Sequence, residues 1–170
     1  MSRKEALFHR ILEGFQDKIY RLCCCYVRHE EDRKDLLHDI YIRIWSGLGT
    51  FDQKSSLSTW IYRISANSCI DFLRKEKKRR ALRFGIRVEE QQLVDASENI
   101  KRNFLASEKI KILYASIDKL SLLEKTLISL YLEDLSYKEM ADIVGISEQN
   151  VGVRLFRIKK TLNSLLKEAG

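Results

Sequence analysis

Apolar residues in this chain recur every three or four positions and almost never alternate, which is the signature of amphipathic helices rather than strands. The opening "MSRKEALFHRILEGF" shows this spacing, and "EEDRKDLLHDIYIRIW" repeats it with Leu36, Leu37, Ile40 and Ile44 on one side and Asp35, His38, Asp39, Ile42 and Arg43 on the other. From Leu57 a third stripe runs through Trp60, Ile61, Ile64, Ser68, Phe72 and Leu73, and leaves Arg63, Asn67, Asp71 and Arg74 together on a polar face. Ser58 is placed to cap this helix. Near the C-terminus Val151, Leu155, Ile158 and Leu162 mark the inner side of a long final helix. No proline interrupts any of these periods and only seven glycines punctuate them, so the pattern predicts an all-α protein.

Turn chemistry sharpens the C-terminal part. Ser136 followed by Glu139 reads as a capping box, Gly145 permits a tight turn, and Ser147 caps the helix that follows. Ala141 is small where two helices must approach, with Gly145 four residues on and Val151 ten residues on. This is the grammar of a helix-turn-helix. Its second helix turns Gln149, Asn150, Val153, Arg154 and Arg157 away from the core, with Lys159 and Lys160 behind, and has no acid between Glu148 and Glu168. Short polar groups at the start and cations further on are what a helix needs to meet base edges and phosphates in a major groove.

Charge divides the chain. Residues 1–84 carry 18 basic and 11 acidic side chains, residues 85–107 carry 3 and 4, and residues 108–170 carry 10 and 9. Together with its weak periodicity, this marks 85–107 as a linker between two small helical domains. A net charge of +7 and a pI near 9.2 point to an acidic partner. Nucleic acid fits better than a membrane, because no run of 18 apolar residues occurs, and the N-terminus lacks the form of a secretory signal. A cytoplasmic location follows as the expectation.

The third stripe then explains itself in two halves. Its apolar side holds a helix, and its end runs into "RKEKKRR", a cluster suited to a polyanion and to the negative end of the helix dipole. The aromatics and serines of "FDQKSSLSTW", just upstream, suit an unstacked base beside a positive groove. The preceding helix, acidic at its start, is poorly suited to phosphates and well suited to another protein.

Cys23, Cys24 and Cys25 are consecutive and point about 100° apart on a helix, so they form no clamp by themselves. Cys25, His29 and Cys69 are the grouping that leaves a metal or redox sensor open, beside the plainer reading of small core residues. A simple helix-turn-helix repressor or two-component regulator is the other alternative. No Gly-rich phosphate loop, nucleophile with a neighbouring base or paired metal ligands is found, so neither an enzymatic activity nor a cofactor or small-molecule ligand is expected.

Three stretches, "DLLHDIYIRIW", "FDQKSSLSTWIYRISANSCIDFLRKEKKR" and "LEDLSYKEMADIVGISEQNVGVRLFRIKKTL", together resemble the two domains of bacterial sigma factors of the extracytoplasmic-function class, in the right order and over about residues 18–168. The resemblance implies a polymerase- and -10-binding domain at 1–84 and a -35-binding domain at 108–170. It implies that Asp35, Leu36, Asp39, Ile42 and Trp45 dock on the β′ clamp of core RNA polymerase, with the β flap as a further contact. On the -10 side it implies Ser55, Ser56, Ser58 and Trp60 around a captured base, Arg63 and Asn67 reading the element, and Lys75, Lys77, Lys78 and Arg79 on phosphates. Ser147, Gln149, Asn150, Arg154, Arg157 and Lys160 fall on the -35 surface. An anti-sigma protein is a further implied partner. His38 stands where the family usually has Gln, and Gly152 where it commonly has Lys, which removes one phosphate contact.

Overall fold

The computed structural model describes residues 2–84 and 107–169, so all of the expected linker except Ser107 lies outside the described residues. Seven helices follow in order: α1 (Arg3–Cys24), α2 (Glu30–Gly47), α3 (Leu57–Phe84), α4 (Glu108–Ile117), α5 (Leu122–Tyr131), α6 (Tyr137–Val144) and α7 (Glu148–Ala169). The all-α reading holds for the described residues. Local capping fixes several of the boundaries. Ser2 with Glu5, Ser121 with Glu124 and Ser136 with Glu139 each form a reciprocal capping box, and Gly145 ends α6 at φ 78° in the left-handed region.

In the first half α1, α2 and α3 pack on one another through Ile11, Ile19 and Leu22, then Leu36, Ile40 and Ile44, then Ile61, Tyr62 and Cys69, all essentially sealed from solvent. The expected stripe of α3 is therefore real but rotated: Tyr62, Ser65, Ala66 and Cys69 lie at its centre, while Trp60, Ile64, Phe72 and Leu73 are half-buried at its edges. Ser65 and Ser68 fit this interior because each hydroxyl donates back to the carbonyl four residues earlier. In the second half Val151, Leu155, Ile158 and Leu162 of α7 are buried, as their spacing predicts, against Ile117, Leu127, Leu130 and Met140.

Arg33 ties the turn between α1 and α2. Only 2 % exposed, its guanidinium donates to the carbonyls of Val27 and Arg28 beyond the end of α1, and lies over the ring of Tyr20. Carbonyls in a tight turn have no helix ladder to supply donors, which is the deficit that Arg33 fills.

The two halves are not separate bodies. Their buried residues form one continuous cluster, and α3 lies against α5 and α6. Arg21 of α1 makes a two-pronged ion pair with Glu133, at 2.8 and 2.7 Å. The Tyr26 hydroxyl donates to Thr126 at 2.9 Å in a buried setting, and Arg28 pairs with Asp118, which also accepts from Lys125. Two small helical units of this size each bury little surface alone, and sharing a core is how they gain more.

The cysteines belong to that core. Cys23 and Cys69 place their sulfurs 3.9 Å apart, while the Cys25 thiol faces the Arg21 carbonyl and His29 is exposed at the start of α2. The Cys25, His29 and Cys69 grouping therefore does not form: Cys69 meets the wrong neighbour, because residues one position apart on α1 face different ways. Burial pushes the Cys24 thiol up to about 11, and raises Cys25 and Cys69 as well. Protonated thiols are poor nucleophiles and poor metal ligands, which favours the core reading of these cysteines over the sensor reading.

A stability prediction follows. Below the ordinary thiol value of 9.0 the folded and unfolded chains hold the same thiol protons; above it the unfolded chain releases them first, so stability falls as pH rises from 9.0 toward 11. Cys24 alone contributes a loss on the order of 2 to 3 kcal/mol across that window. Urea unfolding at several pH values between 8 and 10.5 measures this, and a midpoint independent of pH contradicts it.

Candidate functional site

The exposed side of α2 is a narrow strip. Asp35, His38, Asp39 and Ile42 are all solvent-exposed and fall within one helical face, with Ile42 50 % exposed in spite of its apolar side chain. This isoleucine sits between carboxylates and takes no part in the core. Two members of the expected docking set differ from it. Leu36 is 2 % exposed and faces α1 and α3, so it supports the strip from below and is out of reach of a partner. Trp45 is half-buried, its ring edge-on to Phe8 at 5.3 Å and beneath the Lys4 ammonium at 4.3 Å. The resemblance alone put Leu36 with Asp35 and Asp39; its burial agrees with the spacing, which places it on the inner stripe with Ile40 and Ile44.

Between α2 and α3 the chain turns through Phe51–Ser56, with Gln53 at φ 59°. Asp52 is tied to Lys54 at 2.6 Å, and this cation holds its carboxyl below the usual range. Ser56, not Ser58, caps α3: its hydroxyl accepts from the Thr59 N–H at 3.0 Å. The two serines are one half-turn apart, and α3 begins at Leu57, which leaves Ser58 half-buried inside the first turn. Trp60 is fixed from two sides. Its ring meets Phe51 at 5.0 Å, and a Cβ on Gly47 would come within 2.8 Å of it, so only glycine leaves room there.

Along the outer face of α3, Asn67, Arg74, Lys75, Lys77, Lys78 and Arg79 are exposed. Arg79 is drawn to Glu76 at 2.6 Å and Asp71 pairs with Arg43 at 3.1 Å, while no ion pair is made by Lys75, Lys77 or Lys78 among the described residues. Arg63 is the exception on this face. It is half-buried and donates to the Asp142 carbonyl of α6 at 3.1 Å. Thr59, one turn earlier, is buried beneath α6, where the carboxyl of Glu139 is held below its usual range chiefly by Ser136. The beginning of α3 thus lies under α6.

On α7, Gln149, Val153, Phe156, Arg157 and Lys160 share the exposed face, and Ser147 caps the helix by accepting from the Asn150 N–H at 3.2 Å. Arg154 lies at the flank, oriented by the Asn150 side-chain oxygen at 2.9 Å. Lys159 leaves this face and sits over the Tyr131 ring at 3.8 Å. Two residues escaped the sequence reading. Phe156 is 72 % exposed, and its position off the stripe of Val151, Leu155, Ile158 and Leu162 was the available signal. Tyr137 covers Gly152, where an added Cβ would lie 3.4 Å from its ring. No local pattern announces that pairing, because it joins two helices.

Two family models match the chain. Residues 11–79 match the family model of Sigma-70 region 2, and residues 110–162 that of Sigma-70, region 4. RNA polymerase sigma factor SigV of Bacillus subtilis is 30 % identical over 99 % of this chain and 98 % of its own length. ECF RNA polymerase sigma factor SigW of the same organism is 29 % identical over 95 % and 89 %. Among solved structures, the sigma factor RpoE of Bartonella quintana, in complex with the anti-sigma factor NepR, superposes with a TM-score of 0.72 at 21 % identity, covering 94 % of this chain and 96 % of that one. The strip of α2, the outer face of α3 and the outer face of α7 all lie within the matched segments, and the chain belongs to the extracytoplasmic-function class of RNA polymerase sigma factors, the initiation factors that direct polymerase to promoters.

Proposed function

We propose that this sigma factor docks on the β′ clamp of core polymerase through Asp35, Asp39 and Ile42, opens and reads the -10 element with the loop and outer face of α3, and reads the -35 element with α7. The observation that supports it best is the pairing of two exposed basic helix faces, one on each matched segment, each with amides close to its cations. Asn67 offers a donor and an acceptor to one base edge, and the lysines after it neutralise phosphates. On α7, Gln149 and Arg157 meet base edges, Phe156 supplies apolar contact to a thymine methyl, and Lys160 takes a phosphate. The β flap is the expected contact of the second half. Strand opening draws on binding energy, with bases exchanging neighbours in the duplex for the protein, so no catalytic group is needed.

Arg63 cannot reach DNA while it is bonded to the Asp142 carbonyl. Promoter reading by Arg63 therefore requires this bond to be given up, which movement of α6 away from α3 would favour. An anti-sigma protein, like the NepR found with the Bartonella RpoE, is the partner expected to hold the halves as they stand here. The test is transcription in vitro by core polymerase with this chain on a random promoter library. Selected transcripts are expected to carry two sequence blocks at fixed spacing; a library that emerges unenriched overturns the proposal.

A further inference from the structure

An open cleft of about 640 Å³ lies between the first turns of α1 and the loop that leads into α3. Arg3, Leu7 and Arg10 form one wall, and Phe51, Ser55 and Ser56 belong to the other. Resting on the reading above, in which that loop captures an unstacked base, we propose that α1 is the second half of the capture site: Arg3 and Arg10 hold the backbone phosphates flanking the extruded nucleotide, and Leu7 lies beneath its base.

The spacing makes this wall a unit. Positions 3, 7 and 10 are four and three apart, so their side chains line up on one helical face, and the two arginines stand about 10 Å apart along the axis. Both are exposed, and no carboxylate pairs with either among the described residues. Their neighbours are occupied: Lys4 lies over Trp45, and Glu5 closes the capping box with Ser2. The opposite wall is held in place before anything binds, since Phe51 is packed on Trp60 and the Ser56 hydroxyl on Thr59. A volume of this size falls in the range of small-ligand clefts, and its lining, which joins Leu7, Phe51 and Leu57 with the cations Arg3, Arg10 and Lys54, suits a base with phosphates beside it.

The experiment uses holoenzyme assembled from core polymerase and the full chain, with a fluorescent pool of random single-stranded DNA about twelve nucleotides long, titrated at several salt concentrations. Arg3→Ala/Arg10→Ala is expected to weaken binding roughly 10-fold at low salt and to lower the salt slope by about 1.4, two single-strand phosphate contacts. Arg3→Lys/Arg10→Lys is expected to keep most of the slope, because a phosphate accepts either cation. Thermal melting of both variants reports folding, and the Lys variant decides the matter if the Ala variant melts early. An unchanged slope in the Ala variant, or a loss in the Lys variant equal to that of Ala, overturns the role of α1 alone. Holoenzyme that forms normally yet binds no single strand overturns the base-capture reading with it.

Discussion

Leu36→Ala is expected to destabilise the protein by about 2 to 5 kcal/mol, whereas Ile42→Ala, less than two turns away on the same helix, should change stability by under about 1 kcal/mol. Leu36 is 2 % exposed and packed between α1 and α3, so truncation leaves a cavity; Ile42 is 50 % exposed and leaves none. Polymerase binding should respond in the opposite order. Ile42→Ala, and more strongly Asp39→Arg, should weaken the affinity for core polymerase, because they remove an apolar anchor and reverse a charge on the docking strip. Urea unfolding and a pull-down on core polymerase separate the two effects. A stable Leu36→Ala protein, or an Ile42→Ala/Asp39→Arg protein that binds core as well as the parent, contradicts the assignment.

Arg21→Met should cost about 2 to 3 kcal/mol and loosen the junction between the halves. Its partner Glu133 keeps only 4 % of its side chain in solvent, so removal of the arginine strands a carboxylate in the shared core. The loss stays below that of a wholly buried pair because Arg21 itself is 31 % exposed and already partly solvated. The same variant should raise proteolytic sensitivity within α4 and α5 before global unfolding, although the contacts of Tyr26 and Arg28 and the packing of α3 on α5 and α6 still join the halves. Limited proteolysis beside a urea titration measures both, and a variant as resistant and as stable as the parent contradicts the role given to this pair.

Much of this was legible in the chain because helices write their burial into local spacing. Val151, Leu155, Ile158 and Leu162 were assigned to the core by period alone, and Ser136 with Glu139 and Gly145 announced a helix and its end by turn chemistry. The exposure of Asn67, Gln149 and Arg157 was legible in the same way, since they lie on the faces their spacing predicts. What spacing cannot give is contact between distant segments. Leu36 belongs to the inner stripe by spacing and to the docking set by resemblance, and the packing of α1 and α3 around it decides for the core. Ser58 and Ser56 are both able to cap, and the start of the helix at Leu57 selects the second. Arg63 was assigned to a DNA-reading face, but α6, more than seventy residues later, supplies its acceptor. Cys69 meets Cys23 rather than Cys25 for the same reason. Arg3 and Arg10 drew no attention as isolated surface cations, and acquire meaning only beside a loop forty residues further on.

The proposed division, in which two separate faces read two separate promoter elements, is measured most directly by a promoter-library selection with holoenzymes carrying Asn67→Ala or Arg154→Ala/Arg157→Ala. Asn67→Ala should relax the preferred base at one position of the downstream block, at a cost of about 1 to 3 kcal/mol, and leave the upstream block as the parent selects it. Arg154→Ala/Arg157→Ala should blur the upstream block alone. Both variants altering the same block, or neither altering any, would contradict the account.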